Sequence, residues 1–185
     1  MKIVCLKGGL GNQMFEYCRF RDLMESGNDK VYLFYDRRRL KQHNGLRLSD
    51  CFELELPSCP WGIKLVVWGL KICRAVGVLK RLYDDEKPEA VLIDDYSQHR
   101  CFIPNARRYF FFRQFLAELQ SGFVQMIRAV DYPVSVHVRR GDYLHPSNSS
   151  FGLCGVDYFQ QAIAYVRKKR PDARFFFFSD DMEWV

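Results

Sequence analysis

The sequence predicts an α/β protein made of two strand–helix–strand segments joined by a less regular middle. Three observations carry that expectation. Short β-branched or aromatic runs recur at Ile3-Val4-Cys5-Leu6, Val134-Ser135-Val136 and Phe175-Phe176-Phe177-Phe178. Each is followed by a turn rich in glycine or charge, and helix-length stretches lie between them.

The elements follow in order. Residues 2–6 read as a buried strand, Gly8 to Asn12 as a tight glycine loop, and Gln13 to Ser26 as a helix stopped at Gly27-Asn28. Val31 to Tyr35 supplies a second strand, so the opening is a βαβ unit. Turns and two prolines, Pro57 and Pro60, occupy residues 36–60. Residues 61–80 read as helical, Val91-Leu92-Ile93 as a short strand, and 107–130 as helical with Ser121-Gly122 interrupting. The second α/β segment has a strand at 134–138, a helix from about Val156 to Lys169, a break at Pro171 and a strand from Arg174 to Phe178. This places a first domain at 1–130 and the start of a second at 131–185.

Composition narrows the function classes. The 185 residues suit one large domain or two small ones, and 48% hydrophobic with 27% charged residues is ordinary for a globular chain. A net charge of +6 favours anionic partners such as nucleotides or phosphorylated sugars. The seven cysteines form no CxxC pair and no ligand cluster, which suggests reduced thiols in the cytoplasm. Ile3 to Leu6 is too short for a signal peptide, so Asn148-Ser149-Ser150 reads as a chance match to a glycosylation acceptor. Lys64, Lys71 and Arg74 interrupt the apolar stretch Trp61 to Leu79, which argues against a bilayer span. It reads as a core helix with a basic solvent face, the alternative being peripheral contact with the inner face of a membrane through 61–79.

Three motifs carry the chemistry. His137-Val138-Arg139-Arg140-Gly141-Asp142-Tyr143 follows a strand, and the carboxyl ends of strands are where ligands bind in open α/β sheets. Two adjacent guanidiniums suit the oxygens of a phosphate or diphosphate. Gly8-Gly9-Leu10-Gly11-Asn12-Gln13 sits between strand and helix, where backbone N–H groups and the helix terminus favour an anion, although it matches no standard nucleotide motif. Ser179-Asp180-Asp181 ends the phenylalanine strand, and a right-handed crossover would bring Asp180 to the same sheet edge as Arg139 and Arg140. Helix capping by Ser179 or Asp180 explains one of these residues equally well.

Together, GGLGNQMF at 8–15, HVRRGDY at 137–143 and FSDDMEWV at 178–185 resemble the bacterial α-1,2-fucosyltransferases of glycosyltransferase family 11. Gly155-Val156-Asp157-Tyr158-Phe159 with Ala162-Ile163 fits the same pattern. The resemblance implies a GT-B-like fold of two Rossmann-type domains, the first on the acceptor side, the second binding the donor and incomplete here. It also implies inverting transfer of L-fucose from GDP-fucose to a galactose-type hydroxyl of a surface glycan, with no cofactor or metal. Arg139 and Arg140 would then hold the diphosphate, His137 would contact the nucleotide or orient its loop, and Asp180 would accept from the guanine edge. Gly11 and Asn12 would touch the phosphates. Asp142 is the acid inside the arginine motif, either the general base or a brace for the guanidiniums.

Two departures stand out. Asp95-Tyr96-Ser97-Gln98 replaces a Gly-Tyr-Trp-Gln-like patch, which bears on acceptor recognition. An Asn-Ser-Ser-Phe-Ser-Trp-Trp-like motif is missing, so a truncated and inactive chain is expected. Two other classes stay open. A non-catalytic basic protein binding nucleic acid or anionic surfaces would spread its cations along one face, whereas the arginine pair here is confined to one loop; no nucleic-acid partner is expected. Another nucleotide-dependent transferase, such as a sulfotransferase, would carry a Walker-like loop.

Overall fold

The computed structural model describes residues 1–27, 29–41, 44–83, 87–98, 106–114, 121–146, 148 and 152–185. The glycosylation-acceptor match at 148–150 and Cys101 lie wholly or partly outside these residues. The chain divides into two compact units, Met1–Ala117 and Glu118–Val185.

The first unit is built on a parallel sheet in the order β2-β1-β3, with β1 Lys2–Leu6 between β2 Val31–Tyr35 and β3 Leu92–Ile93. Alternation along these strands feeds two faces. Val4, Leu6, Leu33 and Ile93 pack with Tyr17, Cys18 and Phe20 of α1 Leu10–Glu25. Ile3, Cys5 and Leu92 pack on the other side with Val67 and Leu70 of α4 Trp61–Ala75. The central strand is covered on both faces, as a parallel sheet requires. Two single-turn helices, α2 Arg37–Leu40 and α3 Leu48–Cys51, lie in the segment between β2 and α4.

Three differences from the sequence reading have physical reasons. First, α1 begins at Leu10, inside the expected glycine loop, because Gly9 is extended and serves as its N-cap. Gly11 and Asn12 therefore stand in its first turn. Second, the expected helix over 107–130 is not continuous. A 3-10 turn at Ala106–Arg108 leads into Tyr109 and Phe110, which join the core, and Phe112 forms an antiparallel bridge with Phe52. Helix α5 starts at Ser121, where an interruption was expected, and runs to Arg128.

Third, α4 keeps only part of the expected basic solvent face: Lys64 is exposed, but a broad apolar face is exposed as well. Lys71 and Arg74 turn to Asp94, each 3.5 Å from its carboxylate, while Trp61 and Trp68 stand 72% and 67% exposed. A carboxylate at the end of β3 attracts the cations inward, and the tryptophans are left outside. No helix among the described residues is long and apolar enough to cross a membrane.

The second unit holds a two-stranded parallel sheet, β4 Pro133–Val138 with β5 Arg174–Ser179, connected by α6 Val156–Lys169. Register pairs Val134 with Phe175 and Val138 with Ser179. Phe123 of α5 meets Phe176 and Phe178 edge-on at 6.0 and 5.6 Å, which is why this helix belongs with the second sheet.

Cys5 and Cys18 are buried, with thiol pKa values pushed up to about 12 and about 11 by burial. They act as small core residues, whereas Cys51, Cys59, Cys73 and Cys154 are partly or fully exposed.

Candidate functional site

Parallel pairing of β4 with β5 brings their carboxyl ends side by side, so Arg139-Arg140 and Asp180-Asp181 leave the sheet together. A lattice of charge-assisted contacts fixes the two loops. Arg139 donates to both oxygens of Asp142 through Nε and Nη2, at 3.1 and 2.8 Å. Its guanidinium lies 4.7 Å over the Tyr143 ring. Arg140 donates through Nε to Asp181 at 3.0 Å and stacks 4.3 Å over Trp184. The Arg140 backbone N–H donates to Asp180 Oδ1 at 2.9 Å.

Electrostatics agree with this geometry. The hydrogen bond from the Arg140 backbone holds the Asp180 carboxyl below its ordinary value, with the Gly141 N–H helping. The hydrogen bond to Asp142 raises the already high pKa of Arg139. These contacts hold both guanidiniums in place, and arginine carries its charge throughout the physiological range. Arg139 is half exposed, and Arg140 is more buried at 20%.

Gly141 leaves room for the Asp180 carboxylate. A Cβ there would meet Asp180 Oδ2 at 2.7 Å, so any side chain would push that carboxylate off the loop backbone. The turn after β5 has its own bracing. Ser179 Oγ accepts from the Asp181 N–H at 2.9 Å, and Asp181 Oδ1 accepts from the Trp184 N–H at 3.2 Å. The capping expected of Ser179 or Asp180 thus falls to Ser179 and Asp181, which frees Asp180 to hold the arginine loop.

The expected residues divide accordingly. Arg139, Arg140, Asp142 and Asp180 come together in one lattice. His137 is exposed on β4 opposite Phe178, and no hydrogen bond or ion pair joins it to the arginines among the described residues. Gly141, Asp181 and Trp184 were missed as site residues. The signal for Asp181 and Trp184 was their spacing after β5, where a carboxylate and an aromatic flank the strand end.

Gly11 and Asn12 belong to the first unit, at the carboxyl end of β1. Gly8 has φ +69°, and a Cβ on it would meet Asn12 Nδ2 at 2.6 Å and the Tyr96 ring at 3.1 Å. Gln98 Nε2 donates to Asn12 Oδ1 at 2.6 Å, and Lys7 Nζ lies 4.7 Å over Tyr96. The divergent patch 95–98 is thus packed directly on the glycine turn. Below it, Gln13 is fully buried and satisfied. It donates to the carbonyls of Gly8 and Gly45 at 2.9 Å each and accepts from the Arg47 N–H at 3.0 Å. Glu16 is also fully buried and accepts from the Lys7 N–H at 2.8 Å through Oε2. Oε1 has no partner among the described residues, and burial raises this carboxyl's pKa to about 8.

Comparison with known proteins points to glycosyltransferases. The model of glycosyl transferase family 11 matches residues 101–185, which include the whole arginine–carboxylate lattice. An alpha-1,2-colitosyltransferase of Escherichia coli is 27% identical over 97% of this chain and 68% of its own length. The O-antigen biosynthesis glycosyltransferase WbnK of Escherichia coli is 23% identical over 98% of this chain and 73% of its own. Among solved structures, the fucosyltransferase NodZ from Bradyrhizobium superposes with a TM-score of 0.50 at 15% identity, covering 96% of this chain and 70% of that one. At that identity the likeness concerns the fold, and it agrees with the parallel α/β sheets seen here.

Proposed function

We propose that this protein is a family 11 glycosyltransferase that moves L-fucose from GDP-fucose to a hydroxyl of a surface glycan, in α-1,2 linkage and with inversion. The observation that carries the proposal is the pair of braced arginines at the carboxyl end of β4. In the transfer, the acceptor oxygen bonds to the anomeric carbon as the bond from that carbon to the diphosphate oxygen breaks, and the hydroxyl proton passes to water or to the departing diphosphate. The electron pair leaves with the diphosphate, and fixed guanidinium charge stabilises it there. Arg140 engages Asp181 through Nε alone, and among the described residues its two terminal amino groups have no partner, so they are positioned for phosphate oxygens.

Asp142 is tied at both oxygens to Arg139, which suits a positioning residue better than a base. Asp180 holds the loop backbone, and any contact with the guanine edge would add to that duty. Gly11 and Asn12 are assigned to substrate contact on the first unit. Arginine charge takes the part a divalent metal plays in other transferases, and the two-domain GT-B arrangement accompanies this reading.

A second donor is favoured by one finding, the colitosyltransferase relative aligned over nearly the whole chain. Incubating the protein with GDP-fucose, GDP-colitose and other nucleotide sugars, with galactose-terminated acceptors and mass-spectrometric detection, decides between them. Fucosyl product that survives a chelator supports the proposal. Colitosyl product alone, or activity lost to chelator and restored by manganese or magnesium, overturns the corresponding part.

A further inference from the structure

Helix α4 and the turn after it carry charge of one sign. Residues 61–83 carry five basic side chains, Lys64, Lys71, Arg74, Lys80 and Arg81, and no acidic one. Burial of Val67 and Leu70 fixes which way the helix faces. The opposite side carries Trp61, Leu65, Trp68 and Ile72, spaced four, three and four residues apart, so they form one stripe along the axis. All four are exposed, and exposed Val78 and Leu79 extend the apolar surface beyond the helix end.

Beside this stripe opens a cavity of about 570 Å3, with Trp68 in its wall. Arg37, Arg39, Lys64 and Lys71 surround it, and Asp36 is the one carboxylate on it among the described residues. Arg39 lies 3.8 Å from Asp36 and Lys71 reaches Asp94, while Arg37 and Lys64 make no ion pair among the described residues. A cavity rich in cations therefore adjoins an uncharged aromatic ridge.

We propose that α4 and this cavity dock the protein on the surface of an anionic phospholipid bilayer. The stripe enters the headgroup–acyl boundary, and a lipid phosphate sits among Arg37, Arg39 and Lys64. Tryptophan suits that depth because its ring is apolar while its N–H still seeks a partner. Cations at the rim supply attraction to anionic headgroups. Charge argues against a second copy of the chain, since a two-fold contact through this face would set two basic segments against each other. The inference does not depend on which sugar is transferred.

Sedimentation with vesicles tests it on the intact protein. Partitioning is expected to be at least tenfold stronger on phosphatidylcholine vesicles containing a third phosphatidylglycerol than on phosphatidylcholine alone. The double variant Trp61→Ser/Trp68→Ser should lose about tenfold on the anionic vesicles, and Lys64→Glu severalfold, with circular dichroism and melting unchanged because these side chains are exposed. Equal binding to both vesicles, no binding, or retention by the double serine variant overturns the proposal. A dimer in sedimentation velocity that the serine variant abolishes and vesicles leave intact would make the stripe a protein interface instead. Inorganic pyrophosphate stabilising wild type and serine variant equally, without vesicle binding, would make the cavity a free-anion site and equally overturn docking.

Discussion

The two units hold their sheets by different means. In the first, β1 has Ile3 and Val4 at 0% exposure, with helices on both faces. In the second, only Val138 and Ala173 are buried hydrophobics among the described residues, and Phe177 and Phe178 are each 37% exposed. The functional loops follow the same division. The glycine turn of the first unit rests on a closed core and on buried Gln13. The arginine loop is instead held by ion pairs, backbone hydrogen bonds and cation–ring stacking, much of it open to water. A loop fixed by directional polar contacts can keep its geometry with little apolar burial beneath it, and its exposed guanidiniums stay accessible to an anionic ligand. Bare phenylalanine on a sheet also leaves the second unit exposed to association through that surface.

Removing core volume would strain this comparison most. Leu33, 1% exposed at the centre of the first core, should cost about 3 kcal/mol when changed to Ala, measured by urea unfolding. Phe177→Ala, on the half-covered sheet, should cost under about 1 kcal/mol and improve solubility. The opposite ranking would break the contrast between the units.

Next in size is the pH dependence set by Glu16. Its folded pKa of about 8 stands above the ordinary 4.5, so the folded state keeps a proton that the unfolded chain releases. The stability from this group is complete below pH 4.5, falls as pH rises toward 8, and is gone above that. By pH 7 the loss is on the order of 3 kcal/mol. Unfolding curves of wild type and Glu16→Gln across that window should diverge accordingly. Parallel curves would show that the carboxyl ionises freely in the folded unit.

Smaller effects probe the polar loop. Arg140→Lys keeps the charge but loses the planar fork, and turnover in the transfer assay should fall at least about tenfold, roughly 1.4 kcal/mol. Wild-type rates would remove the phosphate clamp from the mechanism. Asp142→Asn separates brace from base: a positioning role predicts a loss of about threefold to fivefold. A loss of about a hundredfold or more, with the pH profile flattened on its acid limb, would make Asp142 the base.

Much of the fold could be read directly. Strands at 2–6, 31–35 and 134–138 and the helix from 156 to 169 announce themselves by apolar runs and by periodicity, which local chain geometry enforces. The meeting of Arg139 and Arg140 with Asp180 was also legible, because two parallel strands joined by one crossover must present their carboxyl ends together. The segment 107–130 misled, since Tyr109, Phe110 and Phe112 satisfy a helical pattern yet are drawn out to fill the first core and pair with Phe52.

By itself, then, the sequence determined the α/β character, the order of the elements and the identity of the charged loop, all consequences of short-range pattern and chirality. Tertiary structure decided the rest: that Asp180 braces a backbone, that a side chain at Gly141 would displace that carboxylate, that Asp181 and Trp184 hold Arg140, and that α4 draws Lys71 and Arg74 to Asp94 and leaves its tryptophans outside. Each depends on groups far apart in sequence meeting at a few ångströms, where one carboxylate such as Asp94 outweighs the helical pattern around it.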